Sequence, residues 1–386
     1  VGSGAMPWEC VSVNQQHHDL VQEMLSGQAT VTALCRKYKV SRKTAYKWLA
    51  RYNAQGCEGL RERSRRPQVS PEATAAAVCE RVLALRTQYP QWGAGKLQAL
   101  LRKETDDVPC ERTIHRILQR EGLAHPAAAA AKPVQSFERE QANELWQLDF
   151  KSALRLGSES GRTRAVALTI IDDHSRFLVS VRALPNHQLE TLWPAVWDVF
   201  GEYGLPEAIL TDNENGLFAS HRQGVTHWTA RLWRLGIGHP RGRPYHPQTQ
   251  GKVERSHGTL QLEALADRLF LSLPQMQEAL DEFRTRYNHV RPHEALGQLP
   301  PVTRYEPSAR RRPKTLPQVQ YEEGADLRTV TQAGYVSVRG CRLHVGEGLV
   351  GEHVEVCDEG DHFSLRYASY VIRALPWDRL RKGEWL

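Results

Sequence analysis

The sequence predicts a multidomain chain: an all-α N-terminal region, a central α/β core built as a mixed sheet with flanking helices, and a small all-β barrel at the C-terminal end. Three changes of texture predict it. Apolar residues recur at helical spacing from about residue 16 to 122. From Asn143, short β-rich runs ("LWQLDF", "AVALTII", "FLVSVRAL") lead into alternating helical and strand-like stretches, the pattern of a mixed α/β layer fold. From Leu327, short strand-like runs are separated by Gly and Asp-Glu-Gly turns, which suits a small barrel. At 386 residues the chain exceeds one ordinary core, so several domains are expected.

The boundaries expected are 6–62 and 72–125 for two helical modules, joined by a basic linker at 63–71. A linker at 126–142 then leads to the core at 143–300, a Pro/Arg-rich linker at 301–317 and the barrel at 318–386. Residues 1–5 (VGSGA) read as an expression scar ahead of Met6. No run of eighteen apolar residues and no charged-then-apolar leader occurs, so neither a membrane span nor a secretory signal is expected. The seven cysteines are scattered, odd in number and free of any CxxC, so neither a disulfide framework nor a zinc site is indicated, and a reducing cytoplasm fits. His17 and His18 lack a spaced cysteine pair and read as surface residues.

In the first module, Leu20, Val21, Met24 and Leu25 form a helical stripe that Gly27 ends. Val31, Leu34 and Cys35 form a second. Ser41 caps a third helix whose inner face is Ala45, Trp48, Leu49 and Tyr52. The run "TVTALCRKYKVSRKTAYKWLARY" has the look of a helix-turn-helix with its turn near Lys39–Val40, a motif whose second helix enters the DNA major groove. Arg42, Lys43, Thr44, Tyr46 and Lys47 would face outward. The net charge of +7 is concentrated here: 36–66 holds eleven Lys/Arg against two Asp/Glu, an electrostatic footprint for a polyanion. Arg61, Arg63, Arg65 and Arg66 suit a narrow minor groove. The plainer alternative is a helical bundle with a solvated basic face and linker. A second, less basic module comes next, with helices at about 71–89, after Gly95 and at 111–121, and Gly122 as the C-cap. Arg112, Thr113, His115 and Arg116 would face outward. Two modules in tandem would read a longer site than one.

In the core, helices are expected at 189–203, 226–235, 251–269 and 274–288. Three carboxylates stand out. Asp149 interrupts a β-run, where an ionised Asp needs a partner if buried. Asp212 ends the strand "AILTD", where α/β sheets present functional groups. Glu254 lies early in a helix after "YHPQTQG". If they converge they repel, and a hard divalent cation between all-oxygen ligands would relieve this. Each also has an ordinary reading: a hydrogen-bonded core acid, a turn cap for "DNEN", and a helix surface residue paired to Arg255 or Lys252.

The motifs "WQLDF", "IIDDHSRF", "LTDNENGLF", "YHPQTQGKVERSHGTL" and "YNHVRPHEAL", in this order, resemble the integrase catalytic core of bacterial insertion-sequence transposases, a branch of the retroviral integrase superfamily with an RNase H-like fold. The resemblance covers 143–300; the two upstream modules match the same branch more loosely, and the C-terminal piece is similar to the small barrel that follows the core in phage Mu transposase and its relatives. It implies that Asp149, Asp212 and Glu254 are the catalytic, metal-binding triad, holding two Mg²⁺ ions for which Mn²⁺ can substitute. Their separations are 62 and 41 intervening residues. The second is longer than the spacing that names the retroviral motif, with the surplus assigned to the loop at 219–226. Glu214-Asn215-Gly216 also departs from the family's usual Gly-Ser/Thr-Glu. Asp172 and Asp173 are expected to be structural turn acids. Lys252 and Arg255 are expected on DNA phosphates, with His246 near the scissile site and His257 sharing a helix face with Glu254.

The implied activity is 3′-end cleavage and strand transfer by direct transesterification. Transposon-end and target DNA would be the partners of a homodimer or higher oligomer, with no membrane and no small-molecule substrate, in a bacterial cytoplasm at the nucleoid. The Pro/Arg-rich 301–314 segment and the terminal barrel would bridge protomers or DNA. The rival expectations are a domesticated DNA-binding regulator, against which the intact triad argues, and an RNase H-like nuclease, against which the tandem modules argue.

Overall fold

A computed structural model describes residues 13–62, 73–124, 138–158, 161–213, 216–220, 222, 224–241, 251–266 and 268–380. They fall into two compact units, 1–73 and 74–386.

The first unit is a three-helix bundle: α1 (Val13–Ser26), α2 (Val31–Lys37) and α3 (Arg42–Gln55). Gly27 leaves α1 with φ +65°, a conformation that a Cβ penalises. The Thr30 and Ser41 hydroxyls cap α2 and α3 by accepting from the Ala33 and Thr44 amides, each cap worth roughly 1 kcal/mol. Leu20, Val21, Leu34, Cys35, Ala45, Trp48 and Leu60 fill the core. His17 departs from the surface position expected of it. Its ring stacks on Trp48 with centroids 3.8 Å apart, and Nδ1 lies 3.2 Å from the Leu60 carbonyl.

The second unit begins with α4 (Ala76–Gln88), α5 (Ala94–Leu101) and α6 (Glu111–Arg120), packed through Val82, Leu85, Trp92, Leu97, Ile114 and Ile117. Two contacts fasten this helical module to the remainder of its unit. The Trp92 indole donates to Glu263 at 3.1 Å, and Val290 packs against the module's core.

The central sheet has strands β1 (Trp146–Ser158), β2 (Gly161–Asp172), β3 (Leu178–Leu184) and β4 (Ile209–Leu210), in the order β3-β2-β1-β4. β1, β2 and β3 are antiparallel neighbours, while β4 runs parallel to β1. Parallel bridges at Ala208–Gly238 and Thr211–Arg241 add a fifth segment beyond β4. Both faces are covered. α7 (Leu189–Tyr203) and α8 (His227–Arg234) bury Trp146, Leu148, Leu168 and Ile170; α9 (Gly251–Leu260) and α10 (Leu273–His289) bury Ala167, Ile171, Leu178 and Val181. This is the RNase H-like arrangement that the motifs implied. The helix expected at 251–269 is shorter: after Leu260 it widens into a π-helical turn, Gln261–Leu265, and ends.

β3 is an edge strand, and α10 supplies what a neighbouring strand would. The Asn288 amide exchanges two hydrogen bonds with Leu178, Arg284 donates to the Val179 carbonyl, and Gln277 pairs with Val181 and Ala183. Covering an edge with a helix is one way in which proteins keep it from pairing with another chain.

In the Pro/Arg-rich segment, three arginines make contacts within the chain. Arg310 donates to the carbonyls of Pro206, Leu235 and Gly236, Arg312 lies 4.8 Å over the Trp197 ring, and Arg304 pairs with Glu138 at 3.0 Å. The C-terminal strands are β5 (Leu327–Thr329), β6 (Tyr335–Val338), β7 (Cys341–His344), β8 (His353–Asp358), β9 (His362–Tyr367) and β10 (Tyr370–Pro376). They form a four-stranded antiparallel sheet (β10-β9-β8-β5) and a two-stranded ribbon (β6-β7) around one core. This region docks on the start of α8: the Val225 amide donates to the Val345 carbonyl, and the Gly348 amide to the Val225 carbonyl. Gly346, at φ +120°, leaves no room for a side chain, since a Cβ would meet the Val225 nitrogen at 2.2 Å.

Candidate active site

Asp149 lies in β1, and Asp212 follows two residues after the end of β4, the parallel neighbour of β1. The parallel register of the two strands pairs Trp146 with Ile209 and Gln147 with Leu210. Asp149 lies two residues beyond this pairing on β1, and Asp212 two residues beyond it on the other chain. Asp149 belongs to the face of β1 that α9 crosses. One carboxylate oxygen accepts from the Phe150 amide at 2.8 Å; the other lies 3.6 Å from His257 Nδ1 on α9. Burial pushes the His257 pKa down to about 4, so the ring is neutral near neutral pH and the contact is not an ion pair. Glu254 sits one helical turn before His257, exposed in the first turn of α9.

Near Asp149, two buried polar atoms have no hydrogen-bond partner among the described residues: Thr169 Oγ1, directly across the β1–β2 ladder, and Nε2 of His257, whose other ring nitrogen faces Asp149. Unsatisfied polar atoms clustered at an acid mark a place built for a polar occupant. The oxygen donors suit a hard cation. Among the described residues no group of three His, Cys, Asp or Glu is gathered closely enough to hold a metal ion.

Asp172 and Asp173 are fully buried at the β2–β3 turn, as structural acids would be. Asp172 accepts from the Asn143 and Ser175 amides and the Ser175 hydroxyl, and burial raises its pKa. Asp173 accepts from Gln147 and from the Arg139 amide, and forms an ion pair with Lys252 at 2.6 Å. Lys252 therefore departs from the phosphate contact expected of it: its ammonium pins the first turn of α9 to the β2–β3 turn. Arg255 is exposed on the same helix.

In the first module Arg42, Lys43, Tyr46 and Lys47 are exposed on α3 as expected. Arg42 also donates to Thr32, and Lys47 lies 4.3 Å over Trp48. Thr44 is half-buried against the Ser41 cap. Arg61 is exposed and paired with Glu58. On α6, Arg112 and Arg116 are exposed, while His115 and Thr113 are half-buried, the latter beside Cys110. Arg63, Arg65, Arg66 and His246 lie outside the described residues.

Sequence reasoning missed His239. It lies between two threonines, with Nε2 2.9 Å from Thr211 Oγ1 and Nδ1 2.8 Å from Thr229 Oγ1. Its only sequence signal is a histidine in the "GIGHP" run after α8.

Family models agree with this layout. Residues 139–247 and 235–301 match two models described as integrase core domain, 19–68 a helix-turn-helix domain and 44–118 a homeodomain-like domain. The chain is 26% identical over 239 residues to an uncharacterized 39.2 kDa protein of insertion element IS476 from Xanthomonas euvesicatoria, a match covering 60% of this chain and 65% of that one. It is 26% identical over 246 residues to an uncharacterized 31.7 kDa protein of insertion element IS407 from Burkholderia multivorans, covering 60% and 81%. Among solved structures, a simian T-cell lymphotropic virus intasome with PP2A regulatory subunit B56 gamma is similar at 17% identity and TM-score 0.37, covering 78% of this chain and 98% of that one. The HTLV-2 integrase catalytic core domain in complex with magnesium is similar at 15% identity and TM-score 0.32, covering 43% and 99%. No helix among the described residues is long and apolar enough to cross a membrane.

Proposed function

We propose that this integrase-core, helix-turn-helix protein is the DNA transposase of an insertion sequence. The observation that supports the reading is that Asp149 on β1 lies against α9, the helix that bears Glu254, while Asp212 follows β4, the parallel neighbour of β1. In this reading α3 lies in the major groove of the transposon end and presents Arg42, Lys43, Tyr46 and Lys47, α6 presents Arg112 and Arg116, and Arg61 to Arg66 follow the adjoining groove. Arg255 meets phosphate beside the site.

Asp149, Asp212 and Glu254 would hold two Mg²⁺ ions, or Mn²⁺ in their place. Such a pair supplies charge stabilisation at the scissile phosphate and activates the attacking hydroxyl. The chain's own part is positional. Lys252 fixes the first turn of α9, and His257 lies against Asp149 and fills the space behind it. The reaction has two in-line displacements at phosphorus. In the first, water attacks and the 3′ oxygen leaves as a free hydroxyl. In the second, that hydroxyl attacks a target phosphodiester and displaces the target strand's 3′ oxygen. Neither step needs a covalent protein–DNA intermediate. Pairing two ends calls for a dimer or higher assembly on DNA, working at the bacterial nucleoid.

The test combines the full-length protein, duplexes carrying the element's terminal inverted repeats, a target plasmid and Mg²⁺. Joined products support the reading. Cleavage without joining would indicate a nuclease, and binding alone a regulator. Asp149→Asn, Asp212→Asn and Glu254→Gln are each expected to abolish cleavage and joining while end binding persists. Full joining by any one of them removes that residue from the site.

A further inference from the structure

The chain of hydrogen bonds that ends on Asp212 is directional. Thr226, which caps α8, accepts from the Thr229 amide, and its hydroxyl lies 3.1 Å from that of Thr229. Thr229 Oγ1 is 2.8 Å from His239 Nδ1, and His239 Nε2 is 2.9 Å from Thr211 Oγ1. The Thr211 hydroxyl donates to the main-chain carbonyl of Asp212 at 3.1 Å. Since Thr211 spends its proton on that carbonyl, it must accept from Nε2–H. Nδ1 then carries the lone pair and accepts from Thr229, whose oxygen in turn accepts from Thr226. Of the two neutral tautomers, the one protonated on Nε2 satisfies every link.

The surroundings hold this state. The ring lies among the edges of Phe218 and Trp228, and burial drives the pKa down to about 3, with Arg241 acting in the same direction. Thr211 is fully buried, so it has no solvent to substitute for His239.

We propose that His239 is a positioning residue: through Thr211 it fixes the strand end that bears Asp212 against the capped start of α8. It touches neither DNA nor metal and acts by holding one ligand's backbone in register with Asp149. The inference rests on the reading of Asp212 as a metal ligand. It adds that the strand end is clamped from outside the sheet. The clamp also reaches the C-terminal region, because Val225, next to the Thr226 cap, hydrogen bonds with Val345 and Gly348.

The test compares His239→Leu, His239→Gln and Thr229→Val in the full chain. Thr229→Val keeps nearly the same shape and deletes the two links made by the Thr229 hydroxyl, to Thr226 and to His239. Three readouts are used: deuterium exchange of a peptide spanning 208–213, the Mn²⁺ concentration that half-saturates a shift in the thermal midpoint, and end binding. Groups that orient metal ligands typically change metal affinity by about 10–100-fold, so His239→Leu and Thr229→Val are expected to raise the half-saturating Mn²⁺ at least tenfold. They are also expected to speed exchange at 208–213 and to leave end binding unchanged. His239→Gln, whose amide offers one donor and one acceptor, is expected to restore most of both. Wild-type exchange and wild-type Mn²⁺ dependence in Thr229→Val and His239→Leu would overturn the inference. If Asp212→Asn binds Mn²⁺ and joins DNA normally, the reading of Asp212 fails instead, while the exchange data still decide whether His239 clamps the strand end.

Discussion

Replacing Glu263 should release the second helical module from the end of the helix that carries Glu254. Glu263 lies in the π-helical turn that continues α9, with its side chain 6% exposed. One carboxylate oxygen receives Arg291 Nε at 2.9 Å and the Trp92 indole at 3.1 Å; the other faces Arg286 Nε at 3.8 Å. Arg286 is about one-third exposed, so its pairing is screened and worth roughly 0–1 kcal/mol. Arg291 is 14% exposed and Trp92 fully buried, so removing the carboxylate strands both donors. Breaking a buried pair from one side costs about 3–5 kcal/mol, the loss expected for Glu263→Ala. Glu263→Gln still offers the indole an oxygen and should lose only about 1–2 kcal/mol. Equilibrium urea unfolding of the full chain measures both. A Trp92→Phe, Glu263→Ala double-mutant cycle should return a coupling of about 1 kcal/mol for the indole hydrogen bond. An alanine variant within about 0.5 kcal/mol of wild type, the range of an ordinary surface change, would refute the reasoning.

Lys252→Gln should behave as a stability variant, not as a DNA-contact variant. It leaves the fully buried Asp173 without its cation, so the thermal midpoint should fall, while the salt dependence of end binding should stay the same. Lys43→Gln with Lys47→Gln should do the reverse. If each lysine neutralises one phosphate, the slope of log affinity against log salt should fall by about 1.8, with little change in unfolding. Acid should destabilise the fold through His239 and His293, both held by burial at a pKa of about 3 against an ordinary 6.5. Folding favours their neutral forms, so this stability is complete above pH 6.5 and is lost as pH falls toward 3. At pH 5.5 each group costs about 1.4 kcal/mol, readable as a drop in urea midpoint that His293→Phe should lessen if its fold is retained.

Local signals in the chain were legible where local physics decides. Ser41 as a cap, Gly27 and Gly122 as helix stops, and α7 at 189–203 all follow from periodicity and capping, whose causes lie within a few residues. Asp172 and Asp173 were recognisable as turn acids for the same reason. What sequence could not reveal depends on partners far along the chain. Trp92 and Glu263 are 171 positions apart, and no periodicity records their contact. Lys252, beside Glu254 in a charged run, has the appearance of a surface cation until the β2–β3 turn brings Asp173 to it. The arginines of 301–317 gave no sign of their internal contacts, because nothing in their composition tells a carbonyl strut from a residue that bridges protomers or DNA. His239 left only a lone histidine. Its meaning comes from two threonines on other elements.

The proposed function stands on Asp149, Asp212 and Glu254 forming one metal site, although in the chain alone Glu254 stands exposed in the first turn of α9. The most direct measurement is anomalous diffraction from the full-length protein crystallised on its transposon-end duplex with Mn²⁺. Two anomalous peaks are expected about 3.5–4 Å apart, bounded by all three carboxylates, with Glu254 drawn onto the aspartates. Manganese bound elsewhere, or a DNA-bound site that leaves Glu254 outside the ligand shell, would contradict the assignment.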